Sequence, residues 1–174
     1  MRKYVSLLII LFFISCNCKK GTAQASMDKI ALAKADCPEK ATCTIKILKN
    51  KSMDVKTDDL GRPAYTVVES TTKSVIQYEF NRGDEQKYPD SGYREVVIFE
   101  INQANPEVAL SGVDLQATKM LYGRFCFCRG ATGLYPIIDG NLSIKKQDSS
   151  LLMELDYKTG EIPQIIKSIS AVIK

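Results

Sequence analysis

The sequence predicts a mainly β domain, either an antiparallel β-sandwich or a partly open barrel. Apolar residues recur at every second position in several segments, which is the period of a half-buried strand. Turn-forming glycine, proline, asparagine and aspartate residues separate these segments at strand-length intervals. With 174 residues, of which 25% are charged, the chain is long enough for one such domain and short for two.

The chain begins with a basic segment followed by an apolar one. Arg2 and Lys3 precede residues 5–14, which carry no charge. This order is typical of a signal peptide, and the apolar run is too short to cross a bilayer as a helix. We therefore predict a signal peptide over residues 1–15.

Residues 13–16 read Phe-Ile-Ser-Cys and resemble the lipobox of bacterial lipoproteins, with phenylalanine where leucine is usual. The resemblance covers the signal peptide alone. It implies that Cys16 becomes the first residue, carries acyl chains such as palmitate, and holds the protein on a membrane of the cell envelope, the outer membrane in a Gram-negative source. A competing Ala-x-Ala site ends at Ala25, and cleavage there would give a secreted domain that starts at Ser26.

Composition excludes several classes of function. Cleavage before Cys16 removes Arg2 and Lys3, which leaves 22 basic against 20 acidic residues, so a nucleic-acid partner is not expected. The chain contains no histidine, the usual general base near neutral pH and the commonest metal ligand. This excludes Ser-His-Asp and Cys-His catalytic sites, and we predict a non-enzymatic protein without a cofactor.

Residues 16–35 are mostly small and polar and are predicted to form a tether, so that the β-rich domain spans residues 36–174. Within the domain, turns are predicted at 61–63, 81–83, 89–92, 105–106, 130–133 and 158–160. Three strands are predicted from alternating apolar residues: Cys43, Ile45 and Ile47; Ile76, Tyr78 and Phe80; Val97, Phe99 and Ile101.

Two further elements are predicted near the C-terminus. Asp139 and Gly140 predict a tight hairpin between residues 135–138 and 142–144, because Asp-Gly supplies the positive φ angles of such a turn. Isoleucine and valine residues recur at helical spacing over 162–173, where Pro163 suits a first turn, so a short amphipathic helix is predicted. The same segment is rich in β-branched residues and can also be read as an alternating strand.

The cysteines are expected to form disulfides, because the chain is predicted to be exported. Cys126 and Cys128 lie two positions apart in a strand-like segment, which places both sulfurs on one face. We expect two bridges that join Cys37 and Cys43 to Cys126 and Cys128, in either pairing. Cys18 is left over if Cys16 is acylated.

A second hypothesis gives the same four cysteines a chemical role, as thiolate ligands of a soft metal or as a redox pair. The C-x-C spacing of Cys126 and Cys128 is neither the C-x-x-C of zinc knuckles nor that of thioredoxin-like enzymes. The preferred hypothesis is a membrane-anchored envelope lipoprotein that acts as a binding or structural module, with a protein or glycan ligand that the sequence does not specify.

Aromatic and arginine residues near the turns predict either a recognition surface or buried rings. Tyrosine and arginine are frequent anchors at interfaces, whereas tyrosine rings also pack against sheets with the hydroxyl at the rim. We favour buried rings, and we expect Phe125, Phe127 and Tyr122 in the core. The residues concerned are Tyr88, Tyr93, Tyr122, Tyr135, Arg124 and Arg129.

Overall fold

The computed structural model describes residues 28–30, 37–82 and 92–173. In these ranges the strands form two antiparallel sheets, one of six strands and one of four, which pack face to face. The predicted mainly β fold is therefore confirmed, and the two antiparallel sheets are consistent with a β-sandwich and do not form a closed barrel. The predicted signal peptide, the predicted acylation site Cys16 and the leftover Cys18 lie outside the described residues.

In chain order the strands are β1 (Asp28–Ile30), β2 (Ala41–Thr57), β3 (Pro63–Arg82), β4 (Tyr93–Asn102), β5 (Val108–Ser111), β6 (Leu121–Cys126), β7 (Gly133–Pro136), β8 (Asp139–Gln147), β9 (Ser150–Lys158) and β10 (Ser168–Ile173). The larger sheet has the strand order β1-β2-β3-β4-β6-β7, and the smaller sheet has the order β10-β9-β8-β5. A short 3-10 helix, Gly112–Thr118, leads from the smaller sheet back to the larger.

The three strands predicted from alternation are confirmed as parts of β2, β3 and β4, and their apolar faces form the main core between the sheets. The central strand β4 differs from a half-buried strand, because its outer face is covered as well. Val96 and Ile98 on that face are buried in a second apolar cluster. The reason lies in the length of the hairpin that β2 and β3 form.

The β2–β3 hairpin bends sharply in its middle. Asn50 has a φ of 58°, and the register jumps there from the pair Lys49–Ser74 to the pair Lys51–Glu69. Residues 51–69, which we call the arm, then fold across the outer face of the larger sheet. Met53 of the arm is fully buried, and its cluster contains Val75, Val96, Ile98 and Leu121.

The predicted C-terminal helix is wrong. Residues 159–167 form an irregular connection, and β10 follows it as an edge strand of the smaller sheet. Ile169, Ala171 and Ile173 alternate into the core, so the β-branched run gains both buried side chains and backbone hydrogen bonds to β9. Pro163 lies in the irregular connection, where its missing N–H costs no strand hydrogen bond.

The predicted hairpin at Asp139 and Gly140 is also wrong, because β7 and β8 belong to different sheets. The N–H of Ile137 donates to the carbonyl oxygen of Met120, which keeps β7 beside β6 while the chain crosses to the smaller sheet. Gly140 serves close packing instead of a turn. Its φ is 150°, and a Cβ there would collide with the carbonyl oxygen of Asp156 on β9.

Two other predictions about local structure have different outcomes. The predicted turns at 61–63, 105–106, 130–133 and 158–160 are confirmed at the ends of strands. The turn predicted at 81–83 is not seen at residues 81 and 82, because β3 continues through Arg82. Most of the turn predicted at 89–92 lies in residues 83–91, which are outside the described residues. Asp28–Ile30, expected to be part of the tether, form β1, which pairs with β2.

Candidate functional site

All four cysteines of the predicted domain are paired, but not as expected. Cys37 pairs with Cys43 and Cys126 pairs with Cys128, with Cα–Cα distances of 5.8 and 5.2 Å. The predicted bridges between the two regions are wrong because β3 and β4 lie between β2 and β6. Three strand spacings amount to about 14 Å, far beyond the Cα separation that a disulfide spans.

Cys126 is the last residue of β6, so the alternation that was expected to carry both sulfurs ends there. The chain then turns, which brings Cys128 close to Cys126 and leaves the Phe127 side chain 91% exposed to solvent. The expectation that Phe127 lies in the core is therefore wrong. Tyr122 is buried in the main core as expected, and Phe125 is half-buried against the second cluster.

The four cysteines form two separate pairs and do not come together as the ligands of one metal ion. Among the residues that the structure describes, no three or more Cys, Asp or Glu side chains come together as a metal site. In the same part of the chain, no helix has both the length and the apolar character needed to cross a bilayer.

A cleft of about 620 Å³ opens between the two sheets at one end of the sandwich. Its floor is apolar and is formed by Ile47, Ile101, Leu151 and Ile173, which belong to both sheets. The mouth is polar, and its lining includes Lys49, Asn50, Ser74, Gln103, Glu107, Lys146 and Ser150. A cleft of this size with an apolar floor and a few polar groups at the mouth has the usual build of a ligand site.

Side-chain hydrogen bonds fix the mouth of the cleft where the arm bends. The Nε2 of Gln103 donates to the carbonyl oxygen of Lys73 at 2.7 Å and to the Oγ of Ser74 at 3.0 Å. It also lies 3.2 Å from the Oδ1 of Asn50, at the bend itself. These contacts join β4, β3 and β2 at the mouth.

A buried carboxylate lies near the opposite end of β4. Glu95 is 1% exposed and accepts hydrogen bonds from the N–H groups of Ile165, at 2.6 Å, and Ile166, at 2.9 Å. The hydroxyl of Tyr93 donates to the same carboxylate. Glu95 thus ties the connection before β10 to the larger sheet, which is a structural role, since it is enclosed.

Buried tyrosines surround this carboxylate. Burial, and secondarily the charge of Glu95, raises the pKa of Tyr78 to about 12. The same two causes raise the pKa values of Tyr122 and Tyr157 further. The hydroxyl of Tyr122 donates to the carbonyl oxygen of Pro163 at 3.3 Å, whereas that of Tyr157 has no hydrogen-bond partner among the described residues.

The tyrosines near the predicted turns are buried or half-buried wherever the structure describes them. Tyr122 is buried, and Tyr93 and Tyr135 are half-buried, in agreement with the interpretation of buried rings. Arg129 is exposed in the loop after β6, and Tyr88 lies outside the described residues.

Arg124 lies beside the second cysteine pair. Its Nη1 donates to the Sγ of Cys128 at 3.0 Å and lies 3.4 Å from the carbonyl oxygen of Ala131. The hydroxyl of Thr132 is 3.7 Å from the Sγ of Cys128 and 3.9 Å from that of Cys126.

The chain matches no protein-family model, no curated protein and no solved structure. We therefore infer function from the geometry of the cleft and of the cysteine pair.

Sequence patterns did not reveal these features. The cleft is formed by residues far apart in the chain, so no local motif marks it. Glu95 did have a signal, since it is one of two glutamates within the otherwise apolar run of β4. Acidic residues in a strand buried on both faces are rare unless they are paired.

Proposed function

We propose that this chain is a non-catalytic binding protein that an acylated Cys16 holds on an envelope membrane, and that the cleft binds an amphipathic ligand. The cleft is the observation that carries the binding proposal. The anchor is supported by the basic and apolar residues 2–14 and by the lipobox-like sequence at 13–16.

The cleft offers two kinds of interaction. Ile47, Ile101 and Ile173 give a floor against which an apolar group can be removed from water, the main source of affinity for small ligands. Lys146 at the mouth provides positive charge for the polar end of the ligand. The same chemistry would accept an apolar side chain presented by a protein partner.

Neighbouring leucines of β9 allow a matched test of the cleft. Leu151 pairs with Ile173 and lines the cleft, whereas Leu152 pairs with Val172 on the other face of the strand. The probe is anilinonaphthalene sulfonate, which combines apolar rings with a negative charge. We expect Leu151→Trp to fill the cleft and to weaken probe binding by at least about tenfold.

Leu152→Trp is the control and should leave the affinity for the probe unchanged. Far-UV circular dichroism checks that both variants keep the strand content of the original protein. Equal affinity in the original protein and in a folded Leu151→Trp variant would contradict the binding proposal.

The anchor is tested by the intact mass and the location of the protein made from its full sequence. We expect a mature chain that starts at Cys16 and carries acyl chains, two or more of which hold a protein stably on a bilayer. Cys16→Ala should move the protein from the membrane fraction to the soluble fraction, and Cys18→Ala should not. A mass that starts at Ser26 would instead identify a secreted protein.

A further inference from the structure

The pair Cys126 and Cys128 lies at the opposite end of β4 from the cleft. Cys126 pairs with Tyr93 at the start of β4, whereas Ile101 near its end lines the cleft. Both sulfurs lie beside exposed chain, since Phe127 between them and Thr132 opposite them are exposed. The pair is therefore separated from the cleft by most of the length of β4.

The guanidinium of Arg124 is held in place beside the sulfur. Its Nε donates to the hydroxyl of Tyr93 at 3.2 Å, and its central carbon lies 5.2 Å from the centre of the Tyr93 ring. The Tyr93 hydroxyl donates in turn to the buried carboxylate of Glu95. The contact of 3.0 Å between Arg124 and Cys128 thus rests on a network that is anchored in the core.

We propose that Cys126–Cys128 is an exchangeable disulfide, that its co-reactant is a dithiol, and that Cys128 is the leaving sulfur. A thiolate of the dithiol attacks the Sγ of Cys126, the bond between Cys126 and Cys128 breaks, and the electron pair stays on Cys128. The positive guanidinium of Arg124 stabilises the thiolate that forms there.

The second thiolate of the co-reactant then attacks the mixed disulfide at its own sulfur and releases Cys126. The dithiol loses two electrons and two protons and becomes a disulfide, and Cys126 and Cys128 become thiols. In the reverse sequence the Cys126 thiolate attacks a disulfide of the co-reactant and forms the mixed disulfide. The Cys128 thiolate then attacks the Sγ of Cys126, releases the co-reactant as a dithiol and returns the pair to its oxidised form.

The Cys37–Cys43 disulfide of the same chain serves as a comparison for Cys126–Cys128. Cys43 is buried in the main core and Cys37 packs against that core, so an attacking thiolate has poor access to their bond. Exchange rates depend on access and on the stability of the leaving thiolate, and both favour the pair at 126 and 128.

The test is reduction of the folded protein by graded dithiothreitol, with alkylation of the free thiols and peptide mass analysis. We expect Cys126–Cys128 to be half reduced at a dithiothreitol concentration at least about tenfold lower than Cys37–Cys43. Equal or later reduction of Cys126–Cys128 would overturn the proposal.

The role of Arg124 is tested by the pH dependence of alkylation after selective reduction. In the original protein Cys128 should react with iodoacetamide at lower pH than Cys126. Arg124→Gln should remove this difference, and Arg124→Lys, which keeps the charge, should retain it.

Arg82→Gln is the control for the aromatic contact. The guanidinium of Arg82 lies 5.5 Å from the centre of the same Tyr93 ring, so Arg82→Gln changes the aromatic cluster while Arg124 itself is kept. We expect it to preserve the early reaction of Cys128. If Arg124→Gln folds and Cys128 still reacts first, the assignment of Cys128 as the leaving sulfur is wrong.

Discussion

The ammonium of Lys119 lies 3.1 Å from the carboxylate of Glu100, and Glu100 is only 5% exposed. The same carboxylate accepts hydrogen bonds from the Ser52 hydroxyl at 2.7 Å and the Met53 N–H at 2.9 Å, both in the arm. Lys119 also donates to the Met53 carbonyl oxygen at 2.6 Å. The ion pair of Glu100 in β4 with Lys119, the residue after the 3-10 helix, therefore holds the arm on the outer face of the larger sheet.

Glu100 should make the stability of the protein sensitive to acid. Burial alone would raise the pKa of Glu100, but hydrogen bonds from Met53, Ser52 and Lys119 outweigh burial and lower the pKa below its ordinary value of 4.5. Because the folded-state pKa is the lower one, the unfolded chain takes up this proton first as the pH falls. The stabilisation is thus complete above pH 4.5 and is lost as the pH falls through the folded-state pKa.

Glu100→Gln should decrease the free energy of unfolding at neutral pH by about 2 kcal/mol, because the buried partners lose a charged acceptor. The substitution should also make the free energy of unfolding decrease less steeply as the pH falls below 4.5. Glu69→Gln is the matched control, since Glu69 pairs with Lys51 on the arm but is 81% exposed, and its effect should stay within about 0.5 kcal/mol. Urea unfolding at several pH values measures both, and equal pH profiles for the two variants would contradict the role of Glu100.

Periodicity was sufficient to predict the architecture but not the connections. Apolar and polar residues alternate over Cys43–Ile47 of β2 and in the predicted parts of β3 and β4. This alternation follows directly from burial of one side of a sheet. The bend at Asn50 could not be predicted, because the arm continues the same alternating strand pattern on both sides of it. The disulfide pairing could not be predicted either. It depends on the order of the strands within a sheet, which local patterns in the sequence do not reveal.

Gly140 is expected to tolerate no side chain. Its φ is 150°, and a Cβ would collide with the backbone of Asp156 and Tyr157, so strands β8 and β9 would have to separate. We expect Gly140→Ala to decrease the free energy of unfolding by at least about 2 kcal/mol. Gly61→Ala, with a φ of 76° but open space around it, should cost only about 1 kcal/mol. Thermal or urea unfolding compares the two, and equal losses would mean that packing at Gly140 is unimportant.

Alkaline pH should also destabilise the protein. Tyr78 has its pKa raised from 10.0 to about 12, first by burial and then by the charge of Glu95. The unfolded chain therefore loses this proton first, so the stabilisation is complete below pH 10 and is lost as the pH rises towards 12. Tyr78→Phe should make the decrease of stability over this range shallower. Urea unfolding at stepped alkaline pH measures it, and an unchanged slope would contradict the shift.

Tyr157 should be a site where removal of one atom stabilises the protein. Its hydroxyl is buried between the sheets without a hydrogen-bond partner among the described residues, and an unpaired buried hydroxyl costs about 1–3 kcal/mol. Tyr157→Phe keeps the ring in contact with the neighbouring Tyr122 ring, whose centre lies 6.0 Å away. We expect the substitution to increase the free energy of unfolding by about 1 kcal/mol.

Tyr122→Phe is the matched comparison, because the same atom is removed from a tyrosine in the same cluster. The Tyr122 hydroxyl donates to the carbonyl oxygen of Pro163, so its removal loses that hydrogen bond and should cost about 1 kcal/mol. Opposite signs for the two variants in urea unfolding are the expected result. A loss of stability in Tyr157→Phe similar to that in Tyr122→Phe would mean that the Tyr157 hydroxyl has a partner in solution, such as a buried water molecule.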